Sequence, residues 1–412
     1  MADKKTTYKR RIFYHLYFNQ SLSCADIGFL INKSVSLTTK LINELIEEGS
    51  VIETGFAPSS GGRRPLTYSI KPDVSFIVSV AMDQLITRIA IMDMHNRVIT
   101  EIEKFELPLN ANPDVLKVLG QKILEVIKRS GIEKELIAGI GIGMPGFIDG
   151  TKGINYSFLN SNNDSISNYI TNLTGITTFL DNDSSLIALA ELRFGAAKNK
   201  QNVMVINMGW GIGLGMILNG ELFRGNDGFA GEFSHIPLFT NNRLCSCGKY
   251  GCLETETSLL VIAEKAQLGL KKGRVSMLKN IESKSFEEVY EAIMLAAGAG
   301  DKFAVELLSE AGYNIGRGVA ILIHILNPEI IVLSGRASTV GKIWQAPIQQ
   351  ALNEHCIPRL ASNTAIEISN LGYQAELIGS AALVMENYGK VVVKKIVMEQ
   401  EQRKIKVSRA MA

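Results

Sequence analysis

The sequence predicts a mixed α/β chain in which a small helical segment with a two-stranded hairpin precedes two rounds of strands and helices. Three observations carry this. Apolar residues recur at helical spacing three times before residue 50, then give way to two short β-rich runs around a tip rich in Gly, Pro and Arg. Strand-like runs followed by helical spacing occur between residues 76 and 194 and again between 203 and 333. A chain of 412 residues, 46% apolar, is longer than one core usually serves and predicts two or three domains.

From Tyr8 to about Phe18 the residues Ile12, Phe13, Leu16 and Tyr17 define the first helix. Ser23 caps a second segment carrying Ile27, Leu30 and Ile31. Asn32-Lys33-Ser34 is a turn, and Ser34 caps a third helix with Leu37, Leu41, Ile42, Leu45 and Ile46 as its expected buried stripe before Gly49 ends it. Val51–Glu53 and Leu66–Ile70 read as strands enclosing a basic tip at residues 58 to 65. This is the order of a winged helix-turn-helix. Ser36, Thr38, Thr39 and Lys40 are expected on the exposed side of the third helix, as donors and a cation suited to a DNA groove. Arg63 and Arg64 on the tip are expected in the minor groove, where narrow A·T-rich sequence concentrates negative potential. A helical bundle that only docks on the rest of the chain is the alternative for residues 7 to 70.

Phe76–Ala81, Arg88–Met92 and Val98–Phe105 read as strands, and helical spacing runs from Pro113 to Lys128. Ile137–Met144 is a buried strand. A polar stretch from Asn155 to Asn172 is too long for an ordinary connection and reads as a functional loop. Thr177–Leu180 is a strand and Ser184–Phe194 a helix. The second round opens with strands at Val203–Asn207 and Gly213–Leu218, continues with helices between Ser258 and Ile325, and closes on the strand Ile330–Leu333.

Cys245, Cys247 and Cys252 lie within eight residues, ten residues after His235. Thiolates and a neutral imidazole suit tetrahedral Zn2+, and Gly248 and Gly251 let the backbone turn so that the sulfurs converge. Buried thiols or a disulfide are the alternatives. The flanking strings Gly231-Glu232-Phe233-Ser234-His235 and Cys245 to Glu254 resemble the paired signature of the ROK family of repressors, open reading frames and sugar kinases. Gly141 to Gly146 with Asp149, Asn182-Asp183, the glycine run from Gly209 to Gly215, and Leu326 to Gly335 extend the resemblance over about residues 75 to 385. It is the transcriptional-regulator branch, of the NagC and XylR type, that carries a segment like residues 7 to 70.

The resemblance implies a duplicated actin-like fold of the ribonuclease H-like and sugar-kinase kind, with two lobes around a cleft. It also implies sugar-binding roles for Asn182, Asp183, Glu232, His235 and Glu254, with Asp183 at the position of the family's catalytic base. The kinase phosphate loops depart from the family pattern. Asp83-Gln84-Leu85-Ile86-Thr87 places side chains where close backbone approach to phosphate needs glycine, and Trp210 stands where a small hydroxyl residue is expected. Phosphoryl transfer is therefore expected to be lost, and the chain is expected not to be an enzyme. The function implied is a sugar-responsive transcriptional regulator, a repressor, sensing a sugar or sugar phosphate. An active ATP-dependent sugar kinase with an accessory helical domain is the alternative.

The net charge of +2 gives no global sign of a polyanion partner, so DNA contact must come from local basic patches. No apolar run reaches bilayer length and no signal-peptide core follows the basic start, which predicts a cytoplasmic protein without a membrane partner. The domains expected are residues 1–72, the DNA-binding part; 73–200, the first lobe; 201–389, the second lobe with the zinc site; and 390–412, a basic tail. The tail is read as a solvated end, with a supplementary DNA or phosphate contact as the alternative. The partners expected are a double-stranded DNA operator, a sugar effector, and a second copy in a homodimer or dimer of dimers, since such domains commonly read paired half-sites.

Overall fold

The computed structural model describes residues 4–57, 64–110, 114–159 and 165–388. Arg63 with most of the basic tip, Pro113, part of the polar stretch, and the tail at 390–412 lie outside the described residues. The chain divides into two compact units, one of residues 1–182 and 377–412 and the other of residues 183–376. The expected boundaries at 72, 200 and 389 do not coincide with this division. The helix Asp183–Phe194 packs on strands of the second unit, and the last helix, Ala375–Glu386, returns to the first, where the Ser380 hydroxyl donates to the Val80 carbonyl at 2.9 Å.

The first unit opens with helices Lys4–Asn19, Cys24–Ile31 and Val35–Glu47 and a small antiparallel sheet of Leu22–Ser23, Leu66–Ile70 and Val51–Phe56. Ser23 and Asp26 form a reciprocal capping box on the second helix, and the Ser34 hydroxyl caps the third, as expected. The buried stripe of the third helix differs from the expectation. Thr38, Leu41, Ile42 and Leu45 point inward, while Leu37 is partly exposed. Thr38, expected in a groove-facing role, is therefore turned into the core. Two features permit this: its hydroxyl donates to the Ser34 carbonyl at 2.9 Å, and Gly28 on the facing helix leaves it room, since a Cβ there would come within 3.2 Å of the Thr38 oxygen.

The rest of the first unit is a five-stranded sheet in the order Thr178–Asn182, Ile137–Met144, Phe76–Met82, Ile86–Asp93, Glu103–Glu106. The first three strands run parallel and the last two form antiparallel pairs. Ile140, Ile142, Val78, Val80, Ile89 and Ile91 form its core with Leu119 and Ile123 of the helix Val115–Ser130. The polar stretch resolves into a strand at Ile154–Asn155 and a helix at Ile166–Thr174. The second unit repeats the arrangement: Glu221–Phe223, Ile212–Leu218, Val203–Met208, Ile330–Ser334, Ala365–Ile368, with antiparallel pairs at one edge and parallel pairs at the other. Shared topology in both units is the duplication that the sequence suggested. Among the described residues no helix is long and apolar enough to cross a membrane.

Candidate functional site

His235, Cys245, Cys247 and Cys252 place one ligand atom each within 4.8 Å of one another. His235 sits in the short 3-10 turn Phe233–His235, and the three cysteines lie on a loop closed by backbone pairing of Pro237 with Cys252 and of Leu244 with Tyr250. Gly251 has φ +75°, and a Cβ there would lie 1.9 Å from the Phe239 carbonyl oxygen, so the closure of this loop requires glycine. His235 Nδ1 is 3.5 Å from Cys245 Sγ, and Cys247 Sγ is 3.6 Å from Cys252 Sγ. These separations match the edges of a tetrahedron built from metal–sulfur bonds of about 2.3 Å and metal–nitrogen bonds of about 2.0 Å. Cys245 and Cys252 are buried and Cys247 is exposed. Burial pushes the Cys252 thiol up to about 12, so holding it as a thiolate needs a compensating cation at this place. The donor set thus fits a metal ion.

Two carboxylates border the cluster. Glu232 Oε2 lies 3.6 Å from His235 Nε2, the ring nitrogen away from the sulfurs, and Glu254 Oε2 lies 3.7 Å from Cys245 Sγ. Burial raises both carboxyls above their ordinary values, and the His235 ring partly offsets this. The structure thus brings Glu232, His235 and Glu254 together with the three thiols. Asp183, at the start of its helix, is held differently. Its Oδ1 accepts from the Ser184 backbone N–H at 2.7 Å, and its Oδ2 accepts from Asn207 Nδ2 at 3.2 Å. Asn182 belongs to the first unit, where its amide donates to the Gly146 carbonyl at 3.2 Å.

Two contributors escaped the sequence reading. Asn207, nearly buried at the end of Val203–Met208, also donates to the Ser184 hydroxyl at 3.1 Å. Asn155, 1% exposed, donates to the Pro145 carbonyl and accepts from Ser157 and Phe158, organising the Pro-Gly loop of the first unit. The available signal was a polar residue inside or against an apolar strand.

The loop at residues 83–86 closes on itself. Asp83 Oδ1 accepts from the backbone N–H groups of Leu85 at 2.9 Å and Ile86 at 2.6 Å, and the carbonyls of Leu85 and Gln84 accept from Leu107 and Leu109. In the second unit Trp210 is buried, edge-on to Tyr290 at 6.0 Å. The Arg336 guanidinium lies 5.0 Å from the Trp210 ring and 4.4 Å from Tyr373, and is ion-paired with Glu287.

On the third helix Ser36 and Lys40 are exposed and Thr39 is half-buried, its hydroxyl donating to the Val35 carbonyl at 2.9 Å; Arg64 is exposed. Thr38 stands apart from them in the core.

A sequence model of the ROK family matches residues 83–387. The chain is 29% identical to the xylose repressor of Caldicellulosiruptor bescii, over 90% of this chain and 93% of that protein. It is 32% identical to a glucokinase of Halalkalibacterium halodurans over 69% of this chain and 88% of the other. Its structure is similar to that of a ROK family transcriptional regulator, a homologue of the E. coli MLC protein, with a TM-score of 0.75 at 26% identity, covering 96% of this chain and 99% of that one. With most of the chain matched, its duplicated fold shared and its Cys/His signature drawn into one cluster, the chain belongs to the ROK family.

Proposed function

We propose that this chain is a cytoplasmic, sugar-responsive transcriptional repressor. In this reading residues 4–70 are a winged helix-turn-helix that binds an operator, and the kinase-derived remainder senses a sugar or sugar derivative without transferring phosphate. The observation that carries it is the loop at 83–86, whose backbone N–H groups at Leu85 and Ile86 are taken by Asp83. Backbone donors already engaged within the chain cannot cradle a phosphate. The relatives support the same reading, since the repressor named above matches 90% of the chain and the glucokinase 69%.

The cluster of His235, Cys245, Cys247 and Cys252 holds Zn2+, whose preference for thiolate and imidazole in a closed tetrahedron fits the donor set. His235 then faces the ion through Nδ1 and offers Nε2 to a sugar hydroxyl, with the carboxylates of Glu232, Glu254 and Asp183 accepting from neighbouring hydroxyls. Two copies reading paired half-sites place the protein as a homodimer or dimer of dimers. The test is selection of binding sites from random duplexes, followed by titration of the bound duplex with free sugars, amino sugars and sugar phosphates. Release of DNA by one of them is expected. A protein that selects no duplex and instead releases ADP with a sugar is a kinase.

A further inference from the structure

The third helix, Val35–Glu47, carries a polar stripe turned away from the core. Opposite its buried face, Ser36, Lys40 and Asn43 follow at intervals of four and three residues, all exposed, with no side-chain hydrogen-bond partner among the described residues. Asparagine is a poor helix former that is usually kept for caps, and Asn43 sits in the helix interior. Beside Ser36 in the first turn, Val35 leaves 53% of its surface exposed, with an apolar side chain turned toward solvent.

Charge points to the occupant. Glu44 is paired with Lys5 at 2.8 Å and with Lys9 at 2.9 Å, and Lys9 also reaches Glu48. The first helix thereby neutralises these carboxylates, leaving Lys40 as the cation in the middle of the stripe. Glu47, exposed one turn beyond Asn43, marks where an anionic surface is no longer favoured.

We infer that this stripe reads A·T pairs, Asn43 taking an adenine edge and Val35 a thymine methyl. The inference rests on the DNA-binding role proposed above and adds its base preference. An asparagine amide matches the N6 donor and N7 acceptor of adenine in the major groove, and an apolar side chain matches the C5-methyl of thymine, the one apolar group exposed there. Eight residues of helix separate the two side chains by about 12 Å along the axis, on the order of three to four base-pair steps. Lys40 between them fits a guanine edge or a phosphate.

The test uses the full chain and duplexes selected from a random pool. Each thymine of the selected half-site is replaced by deoxyuridine, and each adenine by 7-deazaadenine, and affinities are measured for wild type, Val35→Ala and Asn43→Ala. Both side chains are exposed, so both variants fold, which thermal melting checks. One deoxyuridine is expected to weaken wild-type binding roughly fourfold, the worth of a buried methyl. It should leave Val35→Ala unchanged. One 7-deazaadenine is expected to weaken wild type about tenfold and leave Asn43→Ala unchanged. Analogue and side-chain effects that simply add at every position overturn the base assignment while leaving DNA binding intact. Failure to select any duplex overturns the DNA-binding role itself, and the assignment with it.

Discussion

The Tyr17 hydroxyl donates to Asn96 Oδ1 at 2.5 Å, tying the first helix of the N-terminal segment to the hairpin turn that follows the strand Ile86–Asp93. Around this bond His95 Nε2 lies 2.8 Å from the Ile70 carbonyl oxygen, Met94 N–H donates to the Pro72 carbonyl at 3.0 Å, and Phe13 stacks on Tyr388 at 5.5 Å. Asp93 shapes the turn by accepting from the backbone N–H groups of His95 and Arg97. The segment proposed to bind DNA is thus anchored at several points within the first unit.

Replacing Tyr17 with Phe removes the donor from a half-buried contact and takes the hydroxyl partner from Asn96. A loss of about 1 to 2 kcal/mol is expected in urea unfolding. Because Tyr17 faces the anchor and not the stripe on the third helix, operator affinity should change little, while the operator response to sugar should shrink. A variant with the full stability loss and an undiminished response would assign the contact to folding alone.

Metal removal separates structure from sensing. Chelation, or Cys252→Ala, is expected to deplete zinc, measured by elemental analysis, and to lower the melting temperature of the second unit. If the ion aims His235 Nε2 at the effector, zinc loss also abolishes sugar-dependent release of DNA while residues 4–70 still bind it. Wild-type response from a folded, zinc-free variant would leave the ion a structural part only.

Sugar-dependent ADP release is expected to stay below ordinary kinase rates of about one per second. Glycine at positions 84 to 86 alone should not restore nucleotide binding, because Asp83 still captures the N–H groups at 85 and 86. Joining Asp83→Ala to those glycines frees the donors, and a thermal shift with a nonhydrolysable ATP analogue would register the difference.

Asp301 predicts an acid-labile element in the second unit. Burial alone would raise its carboxyl, but the N–H groups of Met277 and Ala304 and the Ser276 hydroxyl outweigh this and hold it below the ordinary carboxylate range. A depressed folded-state value means that its stabilisation is present above the unfolded value of about 3.9 and lost as pH falls through the folded one. Asp301→Ala should cost about 1 to 2 kcal/mol at pH 7 as a lost cap, and the gap to wild type should narrow toward pH 3 in thermal melts.

Much of the fold could be read before the structure, because apolar periodicity and caps are local. Ser23 and Ser34 cap the helices they were expected to cap, and the strands at Ile137–Met144 and Ile330–Leu333 are continuous runs without a polar side chain. The cysteine cluster was readable because its ligands are close in sequence. What failed was decided by tertiary partners. Thr38 is buried because of Gly28 on another helix, and Asn207 meets Asp183 from 24 residues away. The return of the last helix to the first unit, marked by Ser380 against Val80, spans 300 residues and leaves no local trace.

That return also sets an order of assembly. The second unit is a continuous stretch, residues 183–376, whereas the first is completed only when the helix that begins at Ala375 arrives. On the ribosome the N-terminal half must wait while roughly 200 further residues are made, on the order of ten to forty seconds at ordinary elongation rates. Truncated or stalled chains therefore have all five strands of the first sheet but lack the helix that packs on it, and Phe13 stays without Tyr388. Incomplete chains thus lack one of the contacts that tie the N-terminal helix to the rest of the first unit, and only the finished chain carries the whole anchor.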